Sequence, residues 1–398
     1  MTGASFIVTN SAKALSGSNF NAGRIIDDTV FTNKDSMTVQ QIQDFLNSKV
    51  PTCNRWHSAY NADNPPPYTC LKEYQENTTT GENNFARFNG DGSPYNVPGG
   101  KSAAQIIWDS AQAYNINPQA LIVLLQKEQG LVTDDWPLLS QFTKATGYLC
   151  PDTAPCSASA GGFGKQVVGA AWQFRHDLDG IDTPNYWSPY GKGWNNILYS
   201  PNAACGTKSV YIENQATAVL YKYTPYTPNS AALNNLYGLG DGCSAYGNRN
   251  FWRYFNDWFG STLAPAFSWQ YQGQNVYTDS NKQVAIDSYS QALSPDTRYY
   301  LTLSAKNTGN VTWQQSNMRL GTSRNSDRTS ILYDPTWLSA PRPASMIEPS
   351  VAPGETAHFE FWVKTPNSAF NGKEYFNLVY DGVTWLNDVG LNWVVNIQ

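Results

Sequence analysis

Between residues 99 and 262 the apolar positions recur with a helical period. Ser102 to Tyr114 places Ala104, Ile107, Trp108 and Ala111 on one face. Val167, Ala170, Ala171 and Phe174 do the same for a helix over Lys165 to about His176. Ala216 to Tyr223 and Phe251 to Phe259 read as two more helices, the former stopped by Thr224-Pro225. Upstream, Thr38 and Gln41 can form a capping box for a helix to about Lys49, with Val39, Ile42, Phe45 and Leu46 as its apolar stripe. Residues 181–213, rich in Tyr, Trp, Asn and Gly, read as irregular.

One segment departs from the amphipathic pattern. Asn117 is a good N-cap, Pro118 fits the first helical position and Gly130 fits just past the end. Between them Leu121 to Leu125 are all aliphatic, so this helix is expected to be buried on every side. Its last turn carries Glu128, which shares a side with Leu121 and Leu124. Partial burial and the negative end of the helix dipole both disfavour an ionised carboxylate there, which suits a general acid at a glycosidic oxygen.

From Phe267 the period changes to two. Tyr299, Leu301, Leu303 and Ala305 alternate with polar residues, as do Ala357, Phe359, Phe361 and Val363, and Leu391, Trp393, Val395 and Ile397. The expected fold class is therefore multi-domain: a mainly α domain followed by an all-β sandwich. We expect an N-terminal extension over residues 1–98, thin in core residues and wrapped on the next domain. A helical domain over 99–262 and a sandwich over 263–398 complete the chain.

Composition narrows the class. Charged residues make up 14% of the 398 and the net charge is -5, with no basic run, so nucleic acid is not an expected partner. No apolar run is long enough for a membrane span. Met1-Thr2-Gly3 opens no basic-then-apolar leader, so a secretory signal, if there was one, is expected to have been removed. The six cysteines lack zinc-site spacing, and three disulfides in an oxidising compartment are expected. Fifteen pairings are possible; neighbours in sequence, Cys53–Cys70, Cys150–Cys156 and Cys205–Cys243, are favoured. No metal and no cofactor is expected.

Three motifs in order carry a resemblance: Glu128-Gln129-Gly130, Gly162-Phe163-Gly164-Lys165-Gln166, and Ala218 through Tyr221 to Tyr226. They resemble goose-type lysozymes and soluble lytic transglycosylases of the lysozyme-like superfamily, although Gln129 stands where that family has serine. The resemblance implies a lysozyme-like fold with Glu128 as general acid and with Gln166, Tyr221, Tyr223 and Tyr226 on the glycan cleft. Asp134, Asp135 and Asp152 are candidate second carboxylates, Asp152 being favoured because a Cys150–Cys156 bridge would pin its loop. The implied function is that of a muramidase cleaving the β-1,4 bond between N-acetylmuramic acid and N-acetylglucosamine. A lytic transglycosylase and a non-catalytic wall-bound adhesin or lectin are the alternatives. Asn307-Thr308-Gly309-Asn310-Val311-Thr312-Trp313, Val351-Ala352-Pro353-Gly354-Glu355 and the terminal Trp-bearing strands resemble a four-tryptophan, immunoglobulin-like domain. The expected protein is secreted, associated with the cell wall, monomeric and partnered by peptidoglycan glycan strands.

Overall fold

The computed structural model describes residues 15–58, 66–151 and 154–398. The chain divides into two compact units, one ending at Thr262 and one running from Leu263 to Gln398.

The first unit is mainly helical. Its helices are α1 (Asp28–Phe31), α2 (Val39–Lys49), α3 (Ala103–Tyr114), α4 (Pro118–Gln129), α5 (Leu139–Thr143), α6 (Phe163–Gly180), α7 (Gln215–Tyr223), α8 (Ser230–Asn234) and α9 (Gly247–Phe259). Their ends follow local chemistry. Thr38 and Gln41 form the capping box of α2, each side chain bonding the other's backbone N–H. The Asn117 side chain accepts from the N–H of Gln119 at 2.8 Å, and Gly130 closes α4 at φ 69°. α6 is a turn longer at its C-terminal end than its apolar face required, because Asp177 and Leu178 are buried too.

At the centre, Ala120 to Leu125 of α4 are all fully buried. Ile25, Phe31, Ile42 and Leu46 from the first hundred residues share that core with α3, α4 and α6. Phe31 meets Phe174 edge to face at 5.1 Å, and Tyr74 stacks on Phe142 at 4.5 Å. Two short strands, β1 (Gln75–Glu76) and β2 (Lys101–Ser102), pair ahead of α3. The segment over 181–213, read as irregular, contains an antiparallel hairpin of β3 (Gly193–Leu198) and β4 (Thr207–Ile212). Its inward positions, Ile197, Val210 and Ile212, are buried, but Gly193, Asn195 and Lys208 at the other positions of the same face break the apolar alternation.

The second unit is built from two main sheets. β5 (Trp269–Tyr277), β6 (Ala285–Ile286), β7 (Arg298–Asn307) and β12 (Thr356–Lys364) form one, in the order β12-β7-β5-β6. β9 (Met318–Thr322), β10 (Ala344–Ser345), β13 (Phe370–Tyr380) and β14 (Thr384–Trp385) form the other, joined by β15 (Asn392–Ile397), which pairs with β13. β8 (Trp313–Gln314) and β11 (Ser350–Val351) pair separately. The alternating residues of β7 and β12 face Leu320, Phe376, Leu378 and Trp393 in one core. Trp313, Trp337 and Trp393 are buried in it, while Trp385 is half-buried under the Arg342 guanidinium.

All six cysteines pair, as Cys53–Cys70, Cys150–Cys156 and Cys205–Cys243, the pairings favoured from the sequence. Three disulfides point to an oxidising compartment. No helix among the described residues is long and apolar enough to cross a membrane.

Since α4 has no exposed side over residues 120–125, Leu124→Ala should cost about 2–5 kcal/mol. Urea unfolding monitored by circular dichroism will read this. A value below about 1 kcal/mol would mean that the helix is less central than its burial implies.

Candidate functional site

The last turn of α4 leaves the core with two charged residues. Lys127 is almost completely buried and Glu128 about a quarter exposed, with side-chain accessibilities of 5% and 26%. The Lys127 ammonium ion-pairs with Oε1 of Glu128. It also donates to Oγ1 of Thr224 at 2.9 Å and lies 5.8 Å from the Tyr223 ring centroid. Lys127 therefore backs Glu128 from inside the fold, and the C-terminal end of α7 fixes Lys127.

The opposite wall is the loop 146–148. Gly147, at φ 76°, stands so close that a Cβ there would lie 3.4 Å from Oε2 of Glu128. Glycine thus keeps that carboxylate oxygen uncovered and supplies a backbone conformation that other residues rarely adopt. Tyr223 donates its hydroxyl to the carbonyl of Thr146 at 2.7 Å and packs on Phe174. Burial first, and the nearby Glu128 second, push its phenol well above the usual tyrosine range.

Gln166 holds this loop in place. Its Oε1 accepts from the N–H of Thr146 at 3.3 Å and of Tyr148 at 3.1 Å. Its Nε2 donates to the carbonyls of Tyr148 at 2.9 Å and Ala160 at 2.8 Å. The side chain is buried, and its amide is spent on these four backbone groups. The expectation that Gln166 touches substrate is therefore corrected: it sets the wall that faces Glu128. Gly169 of α6 completes the support, because the Tyr148 ring occupies the place a Cβ would need.

The other expected residues scatter. Tyr221 is fully buried and donates to the carbonyl of Ala22 at 3.0 Å, with Oγ1 of Thr227 at 3.3 Å. Burial pushes its phenol up as well. It is a core residue and not a cleft residue, because two positions along a helix turn it about 200° from Tyr223. Tyr226 is half-buried beyond the end of α7, where its backbone bridges to Leu198 of β3. Asp134 caps a turn, accepting from the N–H of Trp136 at 3.0 Å and from Gln141 at 2.8 Å. Asp152 lies outside the described residues.

Two polar clusters were not anticipated. Buried Asp177 of α6 accepts from Lys222 at 2.9 Å, from Gln173 at 2.7 Å and from the Tyr186 hydroxyl. Burial draws the Lys222 ammonium down in pKa, but its bonds to Tyr186 and Asp177 outweigh this and hold it above the ordinary value. Buried Glu76 of β1 accepts from the N–H of Gly164 at 3.0 Å and from the Tyr74 hydroxyl at 2.9 Å, which places a carboxylate at the N-terminus of α6. Among the described residues, no group of three or more His, Cys, Asp or Glu could hold a metal ion.

Residues 24–188 match a family model described as LasA, N-terminal domain. The match spans less than half of the chain and includes Lys127, Glu128, Gly147 and Gln166. No curated protein matches. Among solved structures, a CARDB domain of PF1109 from Pyrococcus furiosus matches at 12% identity, covering 34% of this chain and 96% of that one, with a TM-score of 0.20. The match to the LasA N-terminal model overturns the muramidase reading, since LasA is a staphylolytic peptidase and not a glycoside hydrolase. The expected cleavage of the β-1,4 glycosidic bond, and the description as a glycosidase or lysozyme, are withdrawn.

If Gln166 is the clamp on the 146–148 loop, Gln166→Leu leaves up to four buried backbone groups without partners. At about 1–3 kcal/mol for each such group, the loss should be at least about 3 kcal/mol. Hydrogen exchange at Thr146 and Tyr148 should accelerate in the same variant. Unchanged exchange there would show that other contacts hold the loop.

Proposed function

We propose that the chain is an extracellular LasA-like peptidase acting on glycine-rich peptides of the bacterial cell wall. The observation that carries this reading is the match of residues 24–188 to the LasA N-terminal model. The three disulfides support the compartment. We place the peptide at the notch between Glu128 and Gly147. There Oε2 of Glu128 is the acceptor for an incoming water or peptide N–H, and Lys127, buried behind it, keeps the carboxylate oriented. Tyr223 and Thr224 flank Lys127, and glycine at 147 spares Oε2 of Glu128 the contact that a side chain there would make.

The finer fold readings belong to the same proposal. We read the helical unit as lysozyme-like in fold, supported by a glutamate closing a buried helix and followed by a glycine turn and the α7 motif. One fold can carry different chemistries, so this implies nothing about glycan cleavage. We read the second unit as an immunoglobulin-like, four-tryptophan domain, supported by two sheets around a tryptophan-bearing core. In this reading the protein is wall-associated, monomeric and partnered by peptidoglycan.

Incubation of the full chain with synthetic pentaglycine should release new α-amino groups, measured by mass spectrometry. Glu128→Gln should slow this by at least about a hundredfold, the range for loss of a group that handles a proton in the reaction. Absence of new amines with the parent chain would sink the peptidase reading. Equal rates in parent and variant would sink the assignment of the notch.

A further inference from the structure

We infer that the outward face of the β3–β4 hairpin is a saccharide-binding platform. The register pairs Trp194 with Tyr211, Asn196 with Ser209 and Leu198 with Thr207, so these six side chains share one face. The opposite face carries Ile197, Val210 and Ile212 into the core. Trp194 is 74% exposed and Tyr211 52%, and their rings meet edge to face at 5.4 Å and 73°. A single exposed aromatic residue is ordinary. Two in register, forming an open corner of rings at the end of a hairpin, are a shaped surface.

The chemistry of the face selects its occupant. None of the six outward residues is charged, which disfavours an ionic partner. Beside the rings stand one amide, Asn196, and two hydroxyls, Ser209 and Thr207, all exposed. A pyranose has an apolar C–H face for the aromatic corner and hydroxyl or acetamido groups for the amide and hydroxyls beside it. Size points the same way. A Trp and a Tyr offer about 150–250 Å² each, well below the roughly 800 Å² per partner of a stable protein interface. The platform therefore suits one or two uncharged sugar rings and not a second copy of the chain.

The platform is also held in advance of binding. The connection between β3 and β4 contains Cys205, tied to Cys243 in the segment before α9. Leu198 at the end of β3 is held through its carbonyl by the N–H of Thr227 at 3.0 Å. A prearranged surface loses less ordering entropy on binding.

The inference stands apart from the peptidase reading, because it is tested by binding and not by turnover. The probe is chitotetraose, a neutral N-acetylglucosamine tetramer, titrated calorimetrically into the full chain. We expect saturable binding to the parent, at least about tenfold weaker binding to Trp194→Ala and Tyr211→Ala, and near-parent binding to Trp194→Phe. Thermal melts of all variants check that the hairpin is intact, and Trp194→Phe, which keeps a ring against Tyr211, guards against a purely structural effect. No binding of chitotetraose by the parent overturns the inference. So does parent-like affinity in both alanine variants.

Discussion

Complete burial of one aliphatic helix is the constraint on which the first unit depends. α4 has no solvent face from Ala120 to Leu125, so its neighbours must close around it on every side. They can do so only up to its last turn, where Lys127 and Glu128 have to be accommodated. Lys127 is kept inside by an ion pair and a hydroxyl, and Glu128 is left at the surface of the core. Gln126, one residue earlier, accepts from the N–H groups of Val132 and Thr133, so the chain leaving the helix is fixed as well. The position of the carboxylate is thus a consequence of core packing and not of a flexible loop.

The wall facing that carboxylate is set by polar contacts. Gln166 satisfies three backbone groups of the 146–148 loop, which has no secondary structure of its own, and the carbonyl of Ala160. Buried backbone groups must find partners, and a single amide on a rigid helix supplies them here. α6 is in turn oriented at its first turn by Glu76. Helix burial and these side-chain clamps together hold Gly147 opposite Glu128 at close range.

Features written locally were legible in the sequence. The caps and aliphatic run of α4, the capping box of α2 and the two-residue period of β7, β12 and β15 all depend on residues a few positions apart. Neighbouring cysteines were also paired correctly. Features that depend on distant contacts were not legible. Lys127 finds Thr224 97 residues away, and Gln166 finds the 146–148 loop, so neither role could be read from its own segment. Tyr221 and Tyr223 look alike in sequence, yet helix geometry sends one into the core and the other toward Lys127 and the Thr146 carbonyl. The muramidase reading failed for a related reason. A glutamate closing a buried helix marks a position in a fold, and the chemistry done there depends on what surrounds it.

The notch as a peptide site is tested most directly by nuclear magnetic resonance. Pentaglycine is titrated into isotope-labelled full chain while the backbone amide shifts are followed. The account predicts saturable changes concentrated at Glu128, Thr146, Gly147, Tyr148 and Thr224. Saturable changes confined to other parts of the chain, with these five amides unmoved, would contradict it.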